Sequence, residues 1–173
     1  MERFTGKHMD IINSEEFGNK VCLFCGYWKI NDCTSNPASL YLFGDNDIGH
    51  GMGGQAIIRN CKNSMGIPTK KYPSYDTKSY YTDAEYDTNC TKIVNAIIKI
   101  IDTSEKYDEI VFPSDGFGTG LAKLKTKAPK TFEFMNKIIF DCFGIDYDDI
   151  LKNGMQLTVV PNNSTSVELS KNV

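Results

Sequence analysis

The sequence predicts one α/β domain, and three observations lead there: short apolar runs bounded by turn residues, longer segments with helical apolar spacing between them, and two glycine-dense stretches that each follow an apolar run. Runs at 21–25, 40–43, 65–67, 110–112 and 157–160 are too short for helices and read as strands. Residues 55–61 follow a double glycine and read as a helix. In 83–101, Ile93, Ala96, Ile97, Ile100 and Ile101 recur on one helical face. Thr82, followed by Asp83 and Glu85, offers a side-chain oxygen cap and early negative charge for that helix. A third helix is expected over 131–143, where Phe132, Met135, Ile138, Ile139 and Phe143 keep the i, i+3, i+4, i+7 pattern. Alternating elements imply a mixed or mostly parallel central sheet with helices on its faces. Residues 1–160 form this domain, and 161–173, polar and rich in Asn and Ser, form a flexible tail.

Composition narrows the function classes. The 173 residues are 40% hydrophobic and 24% charged, an ordinary globular balance with enough chain for a core. No stretch nears the roughly 18 apolar residues of a membrane span. Met1, Glu2, Arg3 and Phe4 lack a secretory core, so a cytoplasmic protein without membrane contact is expected, in the host cytoplasm if the source is viral. A net charge of −3 argues against general nucleic-acid binding, which needs clustered Lys and Arg. Six scattered cysteines read as reduced thiols. The pair Cys22 and Cys25 falls on opposite faces of a strand, and only His8 and His50 accompany it, so neither a metal centre nor a cofactor is expected.

The chemistry concentrates in two loops. Leu40, Tyr41, Leu42 and Phe43 run into Gly44, Asp45 and Asn46, and then Gly49, His50, Gly51, Met52, Gly53, Gly54 and Gln55. Glycines there remove side chains that would keep a phosphate from the backbone, and a following helix would point free N–H groups at it. Neither the Rossmann nor the Walker phosphate pattern is present. Asp45 and Asn46 are placed to bond a base or ribose, or else to form an Asx turn that bonds only itself. The second stretch repeats the design: a strand, then Pro113, Ser114, Asp115, Gly116, Phe117, Gly118, Thr119 and Gly120. Phe117 is expected either to stack on the ligand or to plug the core. Parallel strands would bring both loops to one crevice. Tyr72, Tyr75, Tyr80 and Tyr81 suggest a flap, or a cover for the core's edge.

These loops resemble those of the macro-domain superfamily, three-layer α/β modules that bind ADP-ribose. Gly66, Ile67, Pro68, Thr69, Lys70 and Lys71 are similar to the strand-end Thr-Lys-Lys of the branch containing terminal ADP-ribose glycohydrolases and antitoxins that reverse DNA ADP-ribosylation. The likeness covers about residues 38–145. It implies that residues 51–56 cradle the distal ribose and diphosphate, that 116–121 cover the diphosphate, and that Asp45 lies near adenine. The chain's texture, rich in Asn, Lys, Tyr and Ile, is also similar to phage-encoded relatives.

By the same resemblance Lys70 corresponds to the lysine that attacks the anomeric carbon; such an attack needs burial or a neighbouring cation to lower its pKa, and Lys71 is the candidate neighbour. The branch's acidic residue is missing: Gly120 and Leu121 are followed by Ala122, leaving Asp115 as the substitute carboxylate. This favours binding or sequestration of ADP-ribose or another NAD-derived nucleotide, such as an immune signal countered by a viral anti-defence protein. An ADP-ribosyl glycohydrolase using Lys70 is the alternative, and a protein-interaction module the third.

Overall fold

The computed structural model describes residues 21–153 and 168–171. In chain order the elements are β1 (Val21–Cys25), α1 (Ile30–Ser35), β2 (Ser39–Asn46), a 3-10 turn (Gly54–Ile58), β3 (Ser64–Lys70), two further 3-10 turns (Thr77–Ser79 and Asp83–Glu85), α2 (Tyr86–Ser104), β4 (Glu109–Pro113), α3 (Leu124–Lys127), α4 (Pro129–Phe143), α5 (Tyr147–Asn153) and β5 (Glu168–Lys171). The expected strand at 157–160 lies outside the described residues. Within the stretch expected to be a flexible tail, β5 pairs with β1.

The chain is α/β, with a sheet ordered β3-β2-β4-β1-β5. Every strand pairing among the described residues is parallel. Of the two expected arrangements, mixed or mostly parallel, the described strands take the parallel one. Each return between described strands is long enough to cross over, as parallel pairing requires, and the only antiparallel contact among the described residues is an isolated bridge between Lys70 and Tyr80. Pro68, which cannot donate a ladder hydrogen bond, falls in β3 at the sheet's edge.

Period-two alternation splits the strands between two cores. Val21, Leu23, Leu40, Leu42, Ile110 and Phe112 face the layer built by α2 and α4, where Ile93, Ile97, Met135 and Ile139 are fully buried. Cys22, Phe24, Tyr41, Phe43 and Val111 face the opposite layer with Trp28, Cys33, Ala56 and Ile58. Each fully buried Leu or Ile contributes roughly 1.5–3 kcal/mol. The Trp28 indole N–H donates to the Leu42 carbonyl at 2.8 Å, satisfying its one polar atom in that smaller core.

The helix caps depart from expectation. Thr82 makes no side-chain cap bond. Asp83 instead accepts from the backbone N–H groups of Lys130 at 2.9 Å and Thr131 at 3.0 Å, closing the amino end of α4. Gly144, left-handed at φ +77°, ends α4. The helix expected over 55–61 is the five-residue 3-10 turn, too short to present an N-terminal dipole to an anion.

Candidate functional site

Parallel strands end together, so the residues that follow them share one edge of the sheet. The carboxyl ends of β1, β2, β3 and β4 border a cavity of about 660 Å³. β2 and β4 are direct neighbours, with Ser39 opposite Glu109 and Tyr41 opposite Val111. The two glycine loops therefore start from adjacent strands about 4.8 Å apart.

Gln55 joins the loops. Its Oε1 accepts from the Gly44 N–H at 2.7 Å, and its Nε2 donates to the Gly116 carbonyl at 2.8 Å. Leu121 adds an apolar bridge, its Cδ1 lying 3.2 Å from where a Cβ on Gly53 would stand. Backbone conformation accounts for the key glycines: Gly51 has φ +96° and Gly118 has φ +75°. A side chain on Gly118 would also strike Leu124 Cβ at 2.8 Å.

Of the residues singled out in the sequence, the cavity is lined by Gly44, Asp45, Asn46, Gly51, Met52, Gly53, Gly54, Gln55, Thr69, Lys70, Pro113, Asp115, Gly118, Thr119 and Gly120. Ser114, Gly116 and Phe117 do not border it. The Ser114 N–H donates to the Phe24 carbonyl at 2.9 Å. Gly116 backs onto Tyr147 and Leu151. Phe117 is 0% exposed and meets Phe112 and Tyr147 edge-on, with ring centroids 6.3 and 5.9 Å away. Its role is core packing, not ligand stacking.

Asp45 and Asn46 are engaged within the protein. Arg59 Nη1 pairs with Asp45 Oδ1 at 2.6 Å, and Arg59 also donates to the carbonyls of Gly51 and His50. Asn46 Oδ1 accepts from the N–H groups of Ile48 and His50, while its Nδ2 donates to the His50 carbonyl. This is the self-bonding Asx turn. It holds the first loop in shape and leaves backbone groups to face the cavity.

A bulge builds the β3 wall. Asp45 stands opposite Pro68, but Asn46 stands opposite Lys70, so Thr69 is the extra residue. Alternation breaks there, and Thr69 and Lys70 are both buried and both line the cavity. Thr69 Oγ1 donates to the Asp45 carbonyl at 3.2 Å. The Lys70 ammonium lies 5.0 and 4.9 Å from the ring centroids of Tyr75 and Tyr80. Burial, and secondarily the charge of Lys123, hold its pKa below that of an ordinary lysine. Lys71 is not that neighbouring charge. It pairs with Glu85 at 2.6 Å and keeps the Glu85 carboxyl below its usual range.

Sequence reading missed Gly26, Tyr27, Trp28 and Arg59. The β1 group was signalled by its position immediately after an apolar run, since every strand end in a parallel sheet reaches this edge. Tyr27, 82% exposed, and Tyr75, 72% exposed, put two open aromatic rings on the cavity's border. Tyr75 belongs to the aromatic stretch read as a flap, whereas Tyr80 and Tyr81 are buried and cover the core. Arg59 carried no sequence signal of its contact with Asp45, 14 positions earlier.

Residues 23–138 match the model of a family described as "Family of unknown function (DUF7831)". The chain belongs to this family. Its cavity residues, from Gly26 to Ala122, all lie inside the DUF7831 match, so cradle and bulge are features of the family segment. No curated protein and no solved structure matches this DUF7831 chain. Among its described residues no helix is long and apolar enough to cross a membrane.

Proposed function

We propose that this DUF7831 protein binds ADP-ribose or a close NAD-derived nucleotide, in a three-layer domain arranged like a macro domain. One observation carries the reading: glycine loops leaving adjacent parallel strands, tied together by Gln55, bound a cavity of about 660 Å³. That volume suits a ligand of dinucleotide size, and bare backbone at Gly51, Gly53, Gly118 and Gly120 gives a diphosphate close access to main-chain donors. Exposed Tyr27 and Tyr75 supply faces for a base or ribose. Binding without turnover follows from Ala122, a methyl group on the cavity wall where the resembling enzymes carry a carboxylate. A sequestering role toward an NAD-derived signal, as in a viral anti-defence protein, is consistent with such a site. Calorimetric titration with ADP-ribose is expected to give saturable heat. A folded protein that gives none at millimolar ligand would sink the reading.

A second reading is favoured by Lys70, whose lowered pKa and seat in the cavity suit an amine that attacks an anomeric carbon. It makes the protein an ADP-ribosyl glycohydrolase. Release of ADP-ribose from modified protein or DNA by the wild type, abolished in Lys70→Ala, selects this reading over binding alone.

A further inference from the structure

Among the described strands β3 forms one edge of the sheet, so the backbone groups on its outer side have no neighbouring strand. Which residues face out follows from one bond: the Tyr41 N–H donates to the Asn63 carbonyl at 2.8 Å. In a parallel ladder alternate residues bond the same neighbour, so Asn63, Met65 and Ile67 turn their backbone groups to β2 while Ser64, Gly66 and Pro68 turn theirs outward. Pro68 suits an outward position because it has no N–H to leave bare. Among the described residues no other backbone group bonds this outer row. Farther along, at Lys70, the chain supplies its own partner through the antiparallel bridge to Tyr80. The edge thus accepts a strand, and from Ser64 to Pro68, about 16 Å of chain, it lacks one.

This edge borders a groove of about 450 Å³, whose other wall is α2 with Lys92, Ala96 and Lys99 on one helical face. Ala96 and Gly66 keep the groove open at its middle. A side chain at Gly66 is excluded by Asp45, whose Cβ lies 2.6 Å from where it would stand. The charges in the groove do not balance. Asp45 is paired with Arg59, and Asp47 with Lys92, each at 2.6 Å. Lys99 is exposed, lines the groove and has no carboxylate partner among the described residues.

We propose that this edge is a docking site for an extended peptide with an acidic side chain, added to the sheet beside β3. Main-chain bonds to Ser64, Gly66 and the Pro68 carbonyl supply the affinity, and Lys99 selects the acid. A second copy of the chain fits less well. Twofold pairing of β3 on β3 would set the Lys92–Lys99 face of α2 beside its own copy, and Pro68 would offer its opposite residue no donor. The surface is independent of what fills the cavity at the strand ends.

The probe is a capped heptapeptide of alternating Thr and Val with one central Asp, titrated into the full chain and followed by amide exchange and NMR shifts. In the free protein the Ser64 and Gly66 amides are expected to exchange quickly, and saturating peptide to slow both roughly tenfold or more. Replacing the peptide's Asp by Asn is expected to weaken binding about two- to fivefold in the wild type and to make no difference in Lys99→Gln. Lys106→Gln, outside the groove, is expected to retain the preference for Asp. Slow exchange of Ser64 and Gly66 without peptide would show the edge already taken and overturn the proposal, as would no shift at these amides up to millimolar peptide. Equal binding of the Asp and Asn peptides would overturn the acidic partner. A concentration-dependent dimer that protects the same amides would give the edge to a second copy instead.

Discussion

At the scale of single residues, Gln55 and Gly118 carry more of the site than any ionised group. Replacing Gln55 by Ala leaves the Gly44 N–H and the Gly116 carbonyl without their partner. Loss of about 1–3 kcal/mol is expected from denaturant unfolding, with weaker ADP-ribose binding as the loops separate. Gly118→Ala forces a methyl onto Leu124 in a left-handed backbone and is expected to cost about 1–3 kcal/mol. Gly120→Ala, with nothing within 4 Å, is expected to stay within roughly 0.5 kcal/mol of wild type. Lys70 sets a pH dependence. Its folded pKa lies below the ordinary 10.5, so between the two values the unfolded chain holds more protons and stability rises with pH. Lys70→Met is expected to flatten that rise while weakening ADP-ribose roughly tenfold or more. The glycines, Gln55, Thr69 and Lys70 were legible because backbone freedom and strand ends leave a trace in sequence. The self-bonding of Asn46 and the burial of Phe117 were legible only as one of two alternatives, and the Asp45–Arg59 pair not at all, because each depends on which of several partners the fold brings near.

At the scale of elements, Asp83 shows how local reading can find the right group and assign it to the wrong target. Its place before an apolar helical pattern marks a cap, yet the amino end it closes is that of α4, 46 positions onward from Asp83 to Pro129, with Pro129 at the first turn. Asp83→Ala is expected to lower stability by about 0.5–2 kcal/mol and to raise amide exchange first in residues 130–133. The apolar faces of α2 and α4 were legible because a 3.6-residue period survives in any sequence that buries one side of a helix. α1 and α5, six and seven residues long, offer less than two turns each and leave too little period to read. The 3-10 turn after the double glycine fell short of the expected helix, because its chain turns toward β3 at Arg59 instead of running on.

At the scale of the whole molecule, strand alternation with helices was sufficient to give an α/β class and one edge bearing the cavity, while the order β3-β2-β4-β1-β5 had no local signature. Long-range register is decided by packing of both sheet faces, and those choices appear only when Val21, Leu40 and Ile110 are seen on one side and Cys22, Tyr41 and Val111 on the other. The all-parallel sheet gives the protein two unlike poles. One holds the cavity, and the other holds the turns that feed the strands, including the exposed Glu105 and Lys106 just before β4. A fluorophore or surface tether attached at Lys106 therefore leaves the mouth of the cavity open, and on the proposed reading an immobilised protein should keep its solution affinity for ADP-ribose. The same attachment at Thr119 stands in the doorway and should silence the sensor.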